Sequence, residues 1–278
     1  MITDLQTNKL FLADCLATKQ PKFFLRFEKV LKDCGIVFQF IPNTKDIWAV
    51  DFMPIQISKD KFVQFIYNPD YLQDEEDQKT ISDVDGISET LNLTTIKSKL
   101  IVDGGNVIRA SDKVIMCDKV FEENKHIPEK DIIKELRDLF LVDKLFFVPW
   151  DENDFTGHAD GMVRFIDNDT VLINDYSNEE PEYQRCFRMS LHNAGFDWVE
   201  MPYNPPNDPT YVSAKGTYLN FLQMKQAIIM PTFKSKDDDK AYKVLEQVFK
   251  GETIMTIDSN ELAKEGGILN CITWNILV

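Results

Sequence analysis

The chain has no apolar run long enough to cross a bilayer as a helix, so membrane-spanning helices drop out of the reading. Its N-terminal residues, MITDLQTNKLFLADCLATKQ, contain no basic segment followed by an apolar core, so no secretory signal is visible and a cytoplasmic setting is expected. Paired cysteine motifs are missing as well. The five cysteines (Cys15, Cys34, Cys117, Cys186 and Cys271) are odd in number, widely spread and never in CxxC spacing. That pattern fits reduced thiols better than a disulfide framework or a zinc site. Positive charge is scarce: 31 Lys and Arg stand against 46 Asp and Glu, a net charge of −15. Phosphate backbones require a concentrated basic surface, so no nucleic-acid partner is expected. A negative field attracts small cations instead, although an acidic surface also simply keeps a protein in solution.

What is present suffices for a large core. The 278 residues are 44% hydrophobic and 12% aromatic, and chains of this size bury roughly three quarters of the surface they expose when unfolded. One order of elements recurs: strand, strand, helix, strand. Lys99–Val102 and Lys113–Cys117 read as strands, followed by a helix from Pro128 to Phe140 and the strand Lys144–Pro149. Ile132, Ile133, Leu136, Leu139 and Phe140 make that helix's apolar stripe, and Pro128 suits its first turn. The order returns with Met162–Ile166, Thr170–Asn174, a helix at 179–193 and Phe196–Met201. It returns again with Thr217–Leu222, Ala227–Met230, a helix at 236–249 and Glu252–Ile257. Nearer the N-terminus lie the helix Pro21–Lys32 and the strands Ile36–Ile41 and Phe62–Tyr67; Ile272–Val278 reads as a last strand. Repeats at roughly fifty to sixty residues predict an α/β fold of units set around a centre, with an ordinary α/β sandwich as the alternative. The polar stretch Gln73–Thr90 is expected to be a long mobile surface loop.

Four segments stand out from ordinary scaffold: DIWAVDFMP (46–54), IVDGGNV (101–107), PWDENDFTGHADGMVRF (149–165) and GGILNCITWNIL (266–277). Taken singly, each has a bland explanation. An Asp followed by glycines usually makes a turn, and a lone cysteine is usually a small buried apolar residue. HAD at 158–160 puts His158 and Asp160 on one face if extended, and with Asp151 and Asp154 it could also begin a metal site. Together the segments say more, because each lies near a predicted strand end. A radial fold would gather Asp51, Asp103, His158, Asp160 and Cys271 at one centre. Carboxylates match the paired donors of a guanidinium, and a nearby cation lowers a thiol's pKa. A neutral amide would meet too many acids, which would suppress the thiolate.

These segments resemble, in the same order, motifs of the agmatine deiminase and bacterial peptidyl-arginine deiminase family of guanidino-group modifying enzymes. Trp48, Asp51 and Pro54 are similar to its W-x-R-D-x-G-P, and Asp103–Asn106 to its E-G-G segment. Trp150, Asp154, Thr156, Gly157, His158, Asp160, Arg164 and Phe165 follow its W…D-x-T-x-G-H-x-D-x-x-x-R-F. Asn220 matches S-Y-x-N-F, and GGILNCIT matches G-G-x-x-H-C-I-T with Cys271 at the nucleophile.

The resemblance implies a five-bladed, pseudo-symmetric α/β propeller forming one catalytic domain over residues 1–278. It implies a deiminase that converts a guanidino compound, such as agmatine in putrescine biosynthesis or arginine, to a ureido product and ammonia. In that reading Cys271 attacks the guanidinium carbon, Asp51 and Asp160 hold its nitrogens, Asp103 is a further acid, and His158 moves protons. Trp48, Asp154 and Asn220 are expected to contact substrate. No cofactor and no metal are implied. The partner is a cationic guanidino small molecule or an arginine side chain, without nucleic acid or membrane; a homo-oligomer is left open. Val50, Met53, Asp103, Asn270 and Trp274–Asn275 depart from the motifs. An amidinotransferase on the same scaffold, or a non-catalytic propeller binding a cation, are the alternatives.

Overall fold

Five three-stranded sheets surround a central axis in the computed structural model, which describes residues 1–151, 154–206 and 212–278. The first sheet contains β1 (Lys9–Ala13), β2 (Phe38–Ile41) and β15 (Thr273–Ile276). The second is β3 (Ile55–Ser58), β4 (Lys61–Ile66) and β5 (Thr95–Ile101); the third is β6 (Ile108–Arg109), β7 (Lys113–Cys117) and β8 (Lys144–Val148). The fourth is β9 (Val163–Phe165), β10 (Thr170–Asn174) and β11 (Asp197–Met201); the fifth is β12 (Leu222–Gln223), β13 (Ile228–Thr232) and β14 (Ile254–Asp258). In each, the central strand pairs antiparallel with one neighbour and parallel with the other. A parallel pair needs a crossover, and a helix supplies it in every blade. These are α1 (Pro21–Asp33), α2 (Val84–Thr90), α3 (Glu129–Phe140), α4 (Pro181–Ala194) and α5 (Asp238–Val248).

Sequence explains most of these elements. Central strands are covered on both faces by neighbouring blades, so they read as unbroken apolar runs such as the fully buried Val114–Cys117. Helices bury one stripe: Phe23, Phe24, Phe27 and Leu31 in α1, and Ile132, Leu136 and Phe140 in α3. Pro181 opens α4, and Gly195, at φ 79°, ends it in the left-handed region. The cores lie between blades: Leu10 and Leu12 of the first sheet pack with Ile228 and Met230 of the fifth. Among the described residues, no helix is long and apolar enough to cross a membrane.

Four expectations need correction. Lys99–Val102 does not open the third unit; it lies at the end of β5, which closes the second sheet beside β4. Thr217–Leu222 is not a strand, because only Leu222–Gln223 pairs and the preceding residues turn around Asn220. The stretch 73–90 is not one long loop: it holds the turn of helix Glu75–Gln78 and all of α2, the crossover of its blade. Pro128 caps α3 from outside, leaving Glu129 as its first residue.

The ring is closed within a sheet. β15 pairs antiparallel with β1, Leu10 opposite Asn275 and Phe11 opposite Trp274, and so serves as the first strand of the blade that β1 and β2 complete. The first strands β3, β6, β9, β12 and β15 therefore occupy equivalent places, and the segment leading into each one ends at the same face of the ring.

Candidate active site

Those five entry segments carry the candidate residues. Asp51 precedes β3, Asp103 precedes β6, His158 and Asp160 precede β9, Asn220 precedes β12, and Cys271 precedes β15. All six side chains are buried. Asp51 sits in the helical turn Ala49–Phe52, tied to the last segment by the Val50 amide, which donates to the Cys271 carbonyl at 3.2 Å. The HAD segment is not extended but enters a 3₁₀ turn, Ala159–Gly161, and His158 and Asp160 still line one cavity.

His158 is held between two acids. Its Nε2 lies 2.9 Å from Asp103 Oδ2 and its Nδ1 lies 3.5 Å from Asp51 Oδ1. Gly105 donates its amide to the same Asp51 oxygen at 3.0 Å. Burial disfavours the imidazolium, but Asp51 and the Asp103 hydrogen bond outweigh it and lift the His158 pKa to about 10. Burial also pushes the Asp51 carboxyl well up, with His158 pulling against it and Asp103 and Asp160 adding to it. The glycine pair makes this closeness feasible. A Cβ on Gly104 would stand 1.9 Å from the Val50 carbonyl oxygen, and one on Gly105 would stand 2.6 Å from Asp51 Oδ1.

Cys271 faces a different set. Asn220 Nδ2 lies 3.1 Å from its Sγ, while the thiol points to Asp160 Oδ2 at 3.6 Å. The Asn220 amide oxygen also accepts from the Asn270 backbone at 3.0 Å, fixing the turn that presents the sulfur. Burial first, then Asp160 and Asp51, push the thiol well above its ordinary range. These shifts favour the protonated thiol and the imidazolium, and the surrounding carboxylates suit a cation.

A cavity of about 670 Å³ opens onto this centre. Trp48 lines it, packed so closely on Gly267 that a Cβ there would lie 2.4 Å from the indole. Asp154 lines it too, but its Oδ1 accepts from the Thr156 amide and hydroxyl, so the carboxylate also builds its own turn. Asp103 does not line this cavity; it stands behind His158. Asp151 lines the cavity, whereas Glu152 and Asn153 of the same motif lie outside the described residues. Among the described residues, no group of three His, Cys, Asp or Glu side chains is arranged to hold a metal ion.

Sequence reasoning passed over two members of this centre. Tyr71 donates its hydroxyl to Asp103 Oδ2 at 2.7 Å and sets its ring edge-on to His158. Nothing marks it in the sequence beyond its being aromatic at the edge of a polar stretch. Asn270, noted only as a departure from a motif, donates to Asp160 Oδ2 at 2.7 Å.

Five radial α/β blades with a thiol, an imidazole and three carboxylates at one end of the axis define a propeller with a cysteine–histidine–acid centre. The chain belongs to the Porphyromonas-type peptidyl-arginine deiminase family, whose model matches residues 13–276. An agmatine deiminase of Pseudomonas aeruginosa is 25% identical over 206 residues, covering 62% of this chain and 54% of the relative. One from Pseudomonas putida is 26% identical over 210 residues, covering 62% and 56%. The chain thus spans about half the length of these relatives. Among solved structures, a cysteine-to-serine form of C. jejuni agmatine deiminase with substrate bound superposes with a TM-score of 0.82 at 19% identity, covering 100% of this chain and 96% of that one. A cysteine-to-serine mutant of DDAH from Pseudomonas aeruginosa, complexed with citrulline, gives 0.61 at 12% identity, covering 98% and 100%. The propeller expected from the sequence is the fold observed.

Proposed function

We propose that this chain hydrolyses a guanidinium C–N bond, releasing ammonia and leaving a ureido product. The observation that carries this reading is that Cys271, in contact with Asp160, and His158, held by Asp51 and Asp103, line one cavity. A planar cation between Asp51 and Asp160 would be gripped through its N–H donors. Its charge would lower the thiol's pKa, so that the thiol gives its proton to solvent and the sulfur attacks the guanidinium carbon as a thiolate. The imidazolium of His158 protonates one amino group, which departs as ammonia, and a thiouronium remains on Cys271. The neutral imidazole then takes a proton from water as the water oxygen bonds to the same carbon. The C–S bond breaks, the carbon-bound hydroxyl gives its proton to the leaving sulfur, and the urea, the Cys271 thiol and the His158 imidazolium are all in place again. Guanidinium and water have become urea and ammonium.

Agmatine is the substrate this cavity favours. Beyond the reacting centre it is lined by Asp46, Asp77, Asp151, Asp154, Glu179 and Glu265, and among the described residues no lysine or arginine lines it. The second cation of agmatine suits that lining, whereas the carboxylate of free arginine would meet like charge. Ammonia release should therefore be at least about tenfold more efficient, as kcat/KM, from agmatine than from arginine or a blocked arginine peptide. A folded protein that releases ammonia from none of the three would overturn the proposal. The same reading takes residues 1–278 as one catalytic domain, since β15 completes the sheet that β1 begins. It also sets the enzyme in the cytoplasm, supported by five free thiols.

Gly105→Ala offers a test of the acid–imidazole geometry. The added methyl would crowd Asp51 Oδ1 and His158 Nδ1 at 2.6 and 2.8 Å, forcing both off position. A misplacement of that kind costs on the order of 100-fold in rate. Wild-type kcat/KM in the variant, measured by ammonia release, would show that this contact does not matter.

A further inference from the structure

We propose that Asn270 is a positioning residue that connects the buried guanidinium of Arg164 to Asp160, fixing the charge and orientation of that carboxylate for the cationic substrate. The inference rests on the guanidino-hydrolase reading of the site and adds to it a residue that the motif comparison had marked only as a mismatch.

Arg164 is 2% exposed. Its Nη1 donates to Asn270 Oδ1 at 3.0 Å and to the Phe221 carbonyl at 3.2 Å, and its Nη2 donates to Asp4 Oδ2 at 2.8 Å. The Phe221 ring lies against it, 4.6 Å from ring centre to guanidinium carbon. On its other side, Asn270 donates Nδ2 to Asp160 Oδ2 at 2.7 Å. The orientation of the amide follows from its neighbours. An arginine only donates and a carboxylate only accepts, so the oxygen must face Arg164 and the nitrogen must face Asp160. A side chain in this place needs an acceptor at one end and a donor at the other.

The contact from Asn270 and the contact from the Cys271 thiol both fall on Asp160 Oδ2, and among the described residues none falls on Oδ1, the oxygen this proposal gives to a ligand's N–H. The charged and titratable groups around Asp160 are His158, Arg164, Asp51, Asp154 and Cys271. Burial raises the Asp160 carboxyl, while His158, the Asn270 hydrogen bond and Arg164 hold it down and Asp154 opposes them. Without the amide, Asp160 would lose its strongest local donor and its link to Arg164, and would take up a proton at higher pH. Without the negative charge of Asp4, the Arg164 field would reach Asp160 less compensated, and protonation would move to lower pH. The two changes have opposite signs. A residue that merely fills space cannot produce that pattern.

The test follows Cys271 alkylation by 2-chloroacetamidine against pH, quantified by mass spectrometry, alongside kcat/KM for agmatine. The acidic limb should rise by about one to two pH units in Asn270→Leu, the value of a hydrogen bond to a buried charge. It should fall in Asp4→Asn. In Asn270→His, where a neutral imidazole again offers one donor and one acceptor, it should return to within about half a unit of wild type. A folded Asn270→Leu protein with the wild-type limb, or limbs that move the same way in both variants, would overturn the relay while leaving the hydrolase reading intact. If Asn270→Leu fails to fold, Asp4→Asn decides, because an unmoved limb there removes Arg164 from the argument. A wild-type protein that neither releases ammonia nor labels at Cys271 would end both readings together.

Discussion

Replacing Cys271 with alanine should lower kcat for ammonia release by on the order of 10⁴-fold or more, while agmatine still binds. Once ionised, the thiol is the strongest nucleophile among the gathered groups, so no neighbour should substitute for it at a comparable rate. Asp51 and Asp160 remain in the variant, and with them the grip on a cation. Titration calorimetry of agmatine against the variant should therefore give a dissociation constant near the wild-type KM. The substitution removes one sulfur from a site that is 7% exposed, and Asn220 loses a weak acceptor. Circular dichroism should show the native fold. Equal turnover in both proteins would take Cys271 out of the chemistry.

The second large effect concerns charge. At pH 7, Cys271 should react at least about 100-fold faster with 2-chloroacetamidine than with 2-chloroacetamide, although the two reagents have nearly the same shape. The neutral amide must meet a thiol that burial, Asp160 and Asp51 hold in its protonated form. The amidinium brings a cation to within about 4 Å of the sulfur, worth roughly 4 kcal/mol at an effective dielectric constant near 20. That is about three pKa units, partly offset by repulsion from the His158 imidazolium. The sign also fixes the pH dependence. Labelling by the neutral reagent should climb steeply as pH rises past 8, toward the elevated thiol pKa, while labelling by the amidinium should change much less. Peptide mapping should place the amidine adduct at Cys271, and the neutral reagent should favour the exposed Cys186. Equal rates at Cys271, or an amidine adduct at Cys15 or Cys117, would contradict the proposed centre.

Much of this architecture was legible in the residues, for a physical reason. A central strand enclosed on both faces must be apolar throughout, which is why Lys113–Cys117 and Thr170–Asn174 were read to the residue. Helices that cover one side of a sheet must carry a stripe, which is why α1 was read to within one residue. The first strands were harder. β6 and β12 have two residues each, too few for any period to show. β1, although the central strand of its blade, also went unread, because its antiparallel partner β15 lies at the far end of the sequence and no hairpin marks the run KLFLA. Lys99–Val102 was assigned to the wrong blade because local pattern reveals a strand but not its partner. In the site, Cys271, His158 and Asp160 were found because several unusual segments agreed. Tyr71 escaped because a hydroxyl that reaches a carboxylate across a fold leaves no local trace.

The way the ring is sealed also ties closure to chemistry. β1 pairs along one edge with β2 and along the other only with β15, from the far end of the sequence, Leu10 meeting Asn275. The acids and the imidazole come from the second, third and fourth sheets' entry segments, whereas the sulfur comes from the segment that enters β15. Under the proposed chemistry, a chain that stops short of β15 should release no ammonia, because Cys271 and the strand that closes the ring lie in one segment.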